Sequence, residues 1–160
     1  MNVVSVPNEI LIPRIAQFIA EGHTTTFRVK GRSMRAFLED GRDQVVLAPF
    51  DAAGLRRGDV VLAEVSPRCY VLHRIIAREG ERLTLRGDGN LRGCETCRVD
   101  DVLGLAVGFV RKGRSEVDRT SGLKWRIYSA LWPQSFLARR IALALYRYIY
   151  LPLTHKTTTI

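Results

Sequence analysis

Between Phe27 and Val110 the apolar residues come only in short runs, each β-branched or alternating with polar residues. The runs are Phe27–Lys30, Gln44–Ala48, Asp59–Val65, Tyr70–Ala77, Arg82–Arg86 and Val102–Val110, punctuated by Gly, Asp, Asn and Pro. Half-buried strands have this period, and close spacing predicts a compact, twisted antiparallel sheet or small barrel. The fold class expected is mainly β (β+α). Asn8–Glu21 has helical spacing through Leu11, Ile15, Phe18 and Ile19, with Pro13 placed in the first turn and Gly22 as the stop.

The strand signal ends at Arg111. A polar connector, Lys112–Ser121, leads to helices expected over Leu123–Leu131 and Gln134–Leu151. In the second, Leu137, Ile141, Ala144, Leu145 and Tyr148 form an apolar stripe, with Arg139, Arg140, Arg147, Tyr146 and Tyr150 on the far side. Residues 111–160 hold ten Lys and Arg against Glu116 and Asp118, whereas residues 1–110 hold 15 basic and 14 acidic residues. The organisation expected is therefore a balanced domain over 1–111 and a basic, aromatic helical tail over 112–160. Such a tail suits an anionic surface, lipid or nucleic acid, or a helix packed on the sheet or on a partner.

Composition removes several classes. With 46% hydrophobic and 26% charged residues, the chain is not a disordered polyelectrolyte. The longest charge-free stretch near the aromatic end, Ile127 to Ala138, is too short for a bilayer span and carries Pro133 and Gln134. Met1 to Pro7 shows no secretory pattern, and three cysteines (Cys69, Cys94, Cys97) make no even disulfide framework, so a cytoplasmic protein is expected. Cys94-Glu95-Thr96-Cys97 is a lone C-x-x-C; a zinc site would need two more ligands from Cys69, His23, His73 and His155, and two incidental loop thiols are the simpler reading. No metal and no cofactor is called for.

Three segments could carry chemistry: Gly31-Arg32-Ser33-Met34, His73-Arg74-Ile75-Ile76 and Gly87-Asp88-Gly89-Asn90. A serine hydroxyl needs a base to become a nucleophile, a neutral imidazole can be that base, and a carboxylate can orient the imidazole. Ser33, His73 and Asp88 supply those types. Read from the residues alone, a turn serine, a satisfied core histidine and a hairpin aspartate are the more economical alternative.

The order of these segments changes the weighing. Val29–Val110 resembles the catalytic core of the S24/S26 serine peptidases, which comprise LexA-type repressors and type I signal peptidases. The matching stretches are Gly31-Arg32-Ser33-Met34, Gly58-Asp59-Val60-Val61, Tyr70-Val71-Leu72-His73-Arg74, Arg86-Gly87-Asp88-Gly89-Asn90 and Asp101-Val102-Leu103-Gly104. The resemblance implies Ser33 as nucleophile. It implies His73 as base, in the branch of the endoplasmic-reticulum and archaeal signal peptidases, where other members use lysine; Lys30 and Lys112 do not stand at the aligned position. It implies Asp88 as the assisting acid, with Asp100 and Asp101 as alternatives. It further implies an oxyanion site at the backbone of Gly31 and Ser33, substrate bound as an added strand near Val29 and Met34, and small side chains around the cut. The chain departs from the family pattern at Ala36, where proline is usual, and at Gly41-Arg42-Asp43, where a Gly-Asp pair is interrupted. Neither an N-terminal membrane helix nor a helix-turn-helix domain is expected.

The function expected is a serine endopeptidase acting on a peptide or precursor segment. The tail, through residues 123–151, would give peripheral contact with the cytoplasmic membrane; nucleic acid is the less favoured partner. The alternatives are a peptide-binding relative without turnover, or a protein that binds anionic surfaces through its tail.

Overall fold

The computed structural model describes residues 7–152. The segment before Pro7, His155 and Lys156 lie outside the described residues. Eight strands form one open antiparallel sheet: β1 (Thr25–Arg28), β2 (Gln44–Ala48), β3 (Val60–Ser66), β4 (Cys69–Glu79), β5 (Arg82–Arg86), β6 (Glu95–Arg98), β7 (Val102–Val110) and β8 (Val117–Arg119). The spatial order is β1-β2-β7-β3-β4-β5-β6, with β8 also paired to β7. Because β1 and β6 end the order, the sheet does not close into a barrel.

β3 shows why the sheet has two cores. Val60 and Leu62 pack in one cluster with Val45, Leu47, Phe109 and Trp125, whereas Val61 and Ala63 pack in another with Ile75, Leu83, Leu85 and Val102. Successive strand residues point to opposite faces, so a strand covered on both sides reads as the unbroken apolar run Val60-Val61-Leu62-Ala63. Helix α1 (Asn8–Ala20) covers the first cluster with Ile12, Ile15 and Ile19, while Phe18 stays exposed. Gly104 of β7 permits that approach, since a Cβ there would stand 2.7 Å from Ile19 Cδ1. Pro13 sits in the second turn rather than the first. Its ring removes the N–H that the exposed Glu9 carbonyl would otherwise accept from.

After β8 come α2 (Leu123–Leu131) and α3 (Phe136–Leu145), the latter continuing as a π-type turn over Tyr146–Tyr150. The tail is thus packed onto the body: Trp125 belongs to the first core, and the boundary near residue 111 marks a change of charge rather than a gap in packing. The face on which α3 docks differs from the one its apolar stripe suggests. Arg139 and Tyr146 are buried, and Leu137, Ile141, Leu145 and Tyr148 face outward. The body offers polar acceptors there: Arg139 Nη1 donates to the carbonyls of Gly87 (3.0 Å) and Asn90 (3.2 Å), and the Tyr146 hydroxyl donates to Glu39 (2.9 Å). A guanidinium and a phenol can be buried when every donor finds such a partner.

Candidate active site

Ser33 lies in the loop between β1 and β2. Its neck is closed by main-chain bonds, Val29 N–H to the Asp43 carbonyl (3.0 Å) and Gly41 N–H to the Val29 carbonyl (2.9 Å). Met34, Phe37 and Leu38 anchor the loop in the first core, leaving Ser33 half-buried above them. Asp43, fully buried at the base, accepts from Arg42 Nε (2.8 Å), Arg111 Nη1 (2.8 Å) and Glu39 N–H (3.0 Å). Burial alone would raise its carboxyl; these donors outweigh that and hold it below the ordinary carboxylate range. Asp43 therefore stabilises the loop above the unfolded carboxylate value and ceases to do so as pH falls through the lowered one.

The Gly87–Asn90 loop presses directly on this serine. Gly89 N–H donates to the Ser33 carbonyl at 2.7 Å. A Cβ on Gly87 would stand 2.4 Å from the Ser33 carbonyl oxygen and 3.0 Å from His73 Nε2, and one on Gly89 would stand 2.3 Å from the Arg32 carbonyl oxygen. Both glycines are needed for space. Replacing Gly87 by alanine should push Ser33 away from the imidazole. We expect a loss of about 1–3 kcal/mol in urea unfolding, of the size of other overpacking changes, and a larger loss of serine reactivity.

His73, 4% exposed, lies on β4 with Nε2 turned toward Gly87. Its Nδ1 donates to Glu95 Oε2 at 2.9 Å. A carboxylate accepting from Nδ1–H leaves the lone pair on Nε2 and stabilises the imidazolium once Nε2 takes a proton. The acid beside His73 is thus Glu95, and the assignment of that role to Asp88 is corrected. Asp88, 1% exposed, is held by Arg74 through Nε (2.8 Å) and Nη2 (2.7 Å) and accepts from the Tyr128 hydroxyl (3.0 Å). Asp101 instead accepts from Arg98 N–H at 2.7 Å, capping the short turn before β7, and Asp100 is exposed.

Other expectations at the site also shift. Gly31, at φ +97°, gives its N–H to Asp40 Oδ1 (2.9 Å), so that group, expected at an oxyanion site, is already engaged. Val29 and Met34 are buried in the first core, and both main-chain groups of Val29 are bonded within the loop neck. Both side chains are therefore covered, contrary to the expectation of a substrate-facing position. The antiparallel alternation that turns Val29 inward turns the main-chain groups of Thr26 and Arg28 to the open edge of β1.

The C-terminal helices reach the same loop. Arg74 Nη1 donates to Ser129 Oγ (2.8 Å) and the Gly58 carbonyl (2.9 Å), and its guanidinium lies 4.7 Å from the Trp125 ring centre. Arg139 holds the carbonyls on both sides of Asp88. Sequence reading missed Glu95, Tyr128 and Arg139. Glu95 opens a short alternating run, Glu-Thr-Cys-Arg, hidden by the C-x-x-C pattern, whereas nothing local marks Arg139 as buried. The two thiols of that pattern part company: Cys94 is exposed, and Cys97 sits in the second core with its thiol pushed up to about 11 by burial. Among the described residues no group of three or more His, Cys, Asp and Glu is placed to hold a metal ion.

No protein-family model and no curated protein matches the chain.

Proposed function

We propose that the protein is a serine endopeptidase in which Ser33 is the nucleophile, His73 the base and Glu95 the residue that orients it. The observation carrying this reading is the Glu95–His73 hydrogen bond, with Nε2 and the Ser33 carbonyl both facing Gly87. No hydrogen bond joins the Ser33 hydroxyl to Nε2 among the described residues, so the reaction requires that contact to close when substrate seats.

A substrate path is supported by two open strand edges. β5 pairs with β4 only from Arg74 to Glu79, so Cys69–His73 has a neighbour on the β3 side alone. With Ile75 bonded toward β3, alternation turns the main-chain groups of Tyr70 and Leu72 to that open edge. A hollow of about 540 Å³ touches Lys30, just beyond β1, and Arg68, Cys69 and Tyr70 at the start of β4. An extended peptide laid there gains strand-like hydrogen bonds and leads its carbonyl toward Ser33.

In the first step the Ser33 proton passes to His73 Nε2 while Oγ bonds to the substrate carbonyl carbon. The oxyanion is met by Ser33 N–H and the imidazolium by Glu95. Collapse breaks the C–N bond, and the amine leaves with the proton held on Nε2. Water, deprotonated by the same nitrogen, then cleaves the ester and restores the serine. A Glu95→Gln chain should fold normally and react with a fluorophosphonate probe about 10²- to 10⁴-fold more slowly, since the amide no longer enforces the reactive tautomer. Wild-type labelling rates in that variant would remove Glu95 from the mechanism.

Among the described residues no helix is long and apolar enough to cross a membrane. We place the enzyme peripherally on the cytoplasmic membrane, supported by the basic charge of residues 111–160.

A further inference from the structure

We propose that the outward faces of α2 and α3 together form a docking surface for a bilayer containing anionic phospholipid. This deepens the peripheral reading and stands apart from the serine chemistry. In α2, Trp125 points into the core while Leu123, Ile127 and Leu131 recur every fourth residue on the solvent side. In α3 and its continuation, Arg139 and Tyr146 point inward while Leu137, Ile141, Leu145 and Tyr148 point out. Leu131 is 77% and Leu137 65% exposed. The inner faces are already occupied, so neither stripe can be buried by turning its helix over. Water-facing leucines and isoleucines in two successive helices mark a surface that something covers.

Charge selects the occupant. From Arg119 to Ile160 the sequence contains seven Lys and Arg and no Asp or Glu. Arg126, Arg140 and Arg147 are exposed on these helices. A second copy of the chain would bring like charge against like charge. An anionic headgroup layer instead takes the cations while the apolar stripes enter the acyl boundary. At nine and ten residues, α2 and α3 suit a position in the plane of the interface rather than across it.

The test is co-sedimentation of the full chain with vesicles of phosphatidylcholine alone and of phosphatidylcholine with a third of phosphatidylglycerol. We expect capture by the anionic vesicles, weakening steeply with salt, and little on the neutral ones. L137E/I141E should abolish capture. R126Q/R140Q/R147Q, which changes only exposed polar side chains, should weaken it by about 100-fold. S33A should bind as wild type, so that a failure of docking and a failure of the peptidase are read separately. The proposal is overturned if anionic vesicles do not capture the wild-type chain, or if R126Q/R140Q/R147Q binds as wild type does. It is equally overturned if these stripes instead mediate dimerisation that L137E/I141E abolishes, or if an acidic protein displaces the vesicles from them.

Discussion

A chain carrying Ser33→Ala should melt as the wild type does and cut nothing. The hydroxyl is half-buried at the loop surface, so its removal should change stability by no more than about 0.5–1 kcal/mol in urea unfolding. Turnover of extended peptides with small residues around the cut, followed by mass spectrometry, should fall by about 10⁴- to 10⁶-fold, because no other group supplies the nucleophile. His73→Ala should lose about as much, and the double variant little more than either single one, since residues of a catalytic unit do not contribute additively. Cleavage at undiminished rate in Ser33→Ala would reject the nucleophile. A wild-type chain that binds such peptides but neither cuts them nor reacts with a fluorophosphonate would instead be a peptide-binding relative without turnover.

The largest effect on stability should come from the Arg74–Asp88 pair. Arg74 is 3% exposed, and its two-pronged contact with Asp88 lies beneath Trp125 and Tyr128. Burial disfavours a lone guanidinium, but the hydrogen bonds and the nearby carboxylate of Asp88 more than offset it, so that Arg74 is held above the ordinary arginine value. Removing one partner strands the other charge in the interior. Asp88→Ala should therefore destabilise the protein by about 3–5 kcal/mol, and Arg74→Met by a similar amount. The double variant Arg74→Met/Asp88→Leu should recover part of that loss, which denaturation of all four chains would show as a coupling between the sites. A loss below about 1 kcal/mol in Asp88→Ala would mean that water reaches the pair.

The sheet was the most legible part of the molecule, and the reason is periodicity. Five of the six runs fall on β2–β5 and β7, the Phe27–Lys30 run overlaps β1 only at Phe27 and Arg28, and β3, buried on both faces, still announced itself as a continuous apolar run. β6 escaped because its Glu-Thr-Cys-Arg run reads as part of a C-x-x-C, and β8 because three residues give too short a stretch for a period to emerge. At the site, Ser33 and His73 stood in recognisable segments, but the choice of acid depends on which way adjacent strand residues face. His73 and Arg74 are neighbours on β4 and point to opposite sides, so the two carboxylates that come near are sorted, Glu95 to the imidazole and Asp88 to the guanidinium. Spacing along the chain carries no record of that sorting. The α3 stripe misled for a related reason. Hydrophobic pattern identifies an amphipathic helix, but the side it turns to the body was decided by acceptors on a loop 52 positions earlier in the chain.

That reach from Arg139 back to Gly87 has a consequence for anyone who would trim or transplant this protein. A fragment ending at the last strand would retain Ser33, His73 and Glu95, yet lose the guanidinium bracing the turn that separates the first two. It would also uncover the aromatic side of the Arg74–Asp88 pair. Grafting the Ser33, His73 and Glu95 cluster onto another carrier therefore means moving the distal helices with it, because they act as its scaffolding.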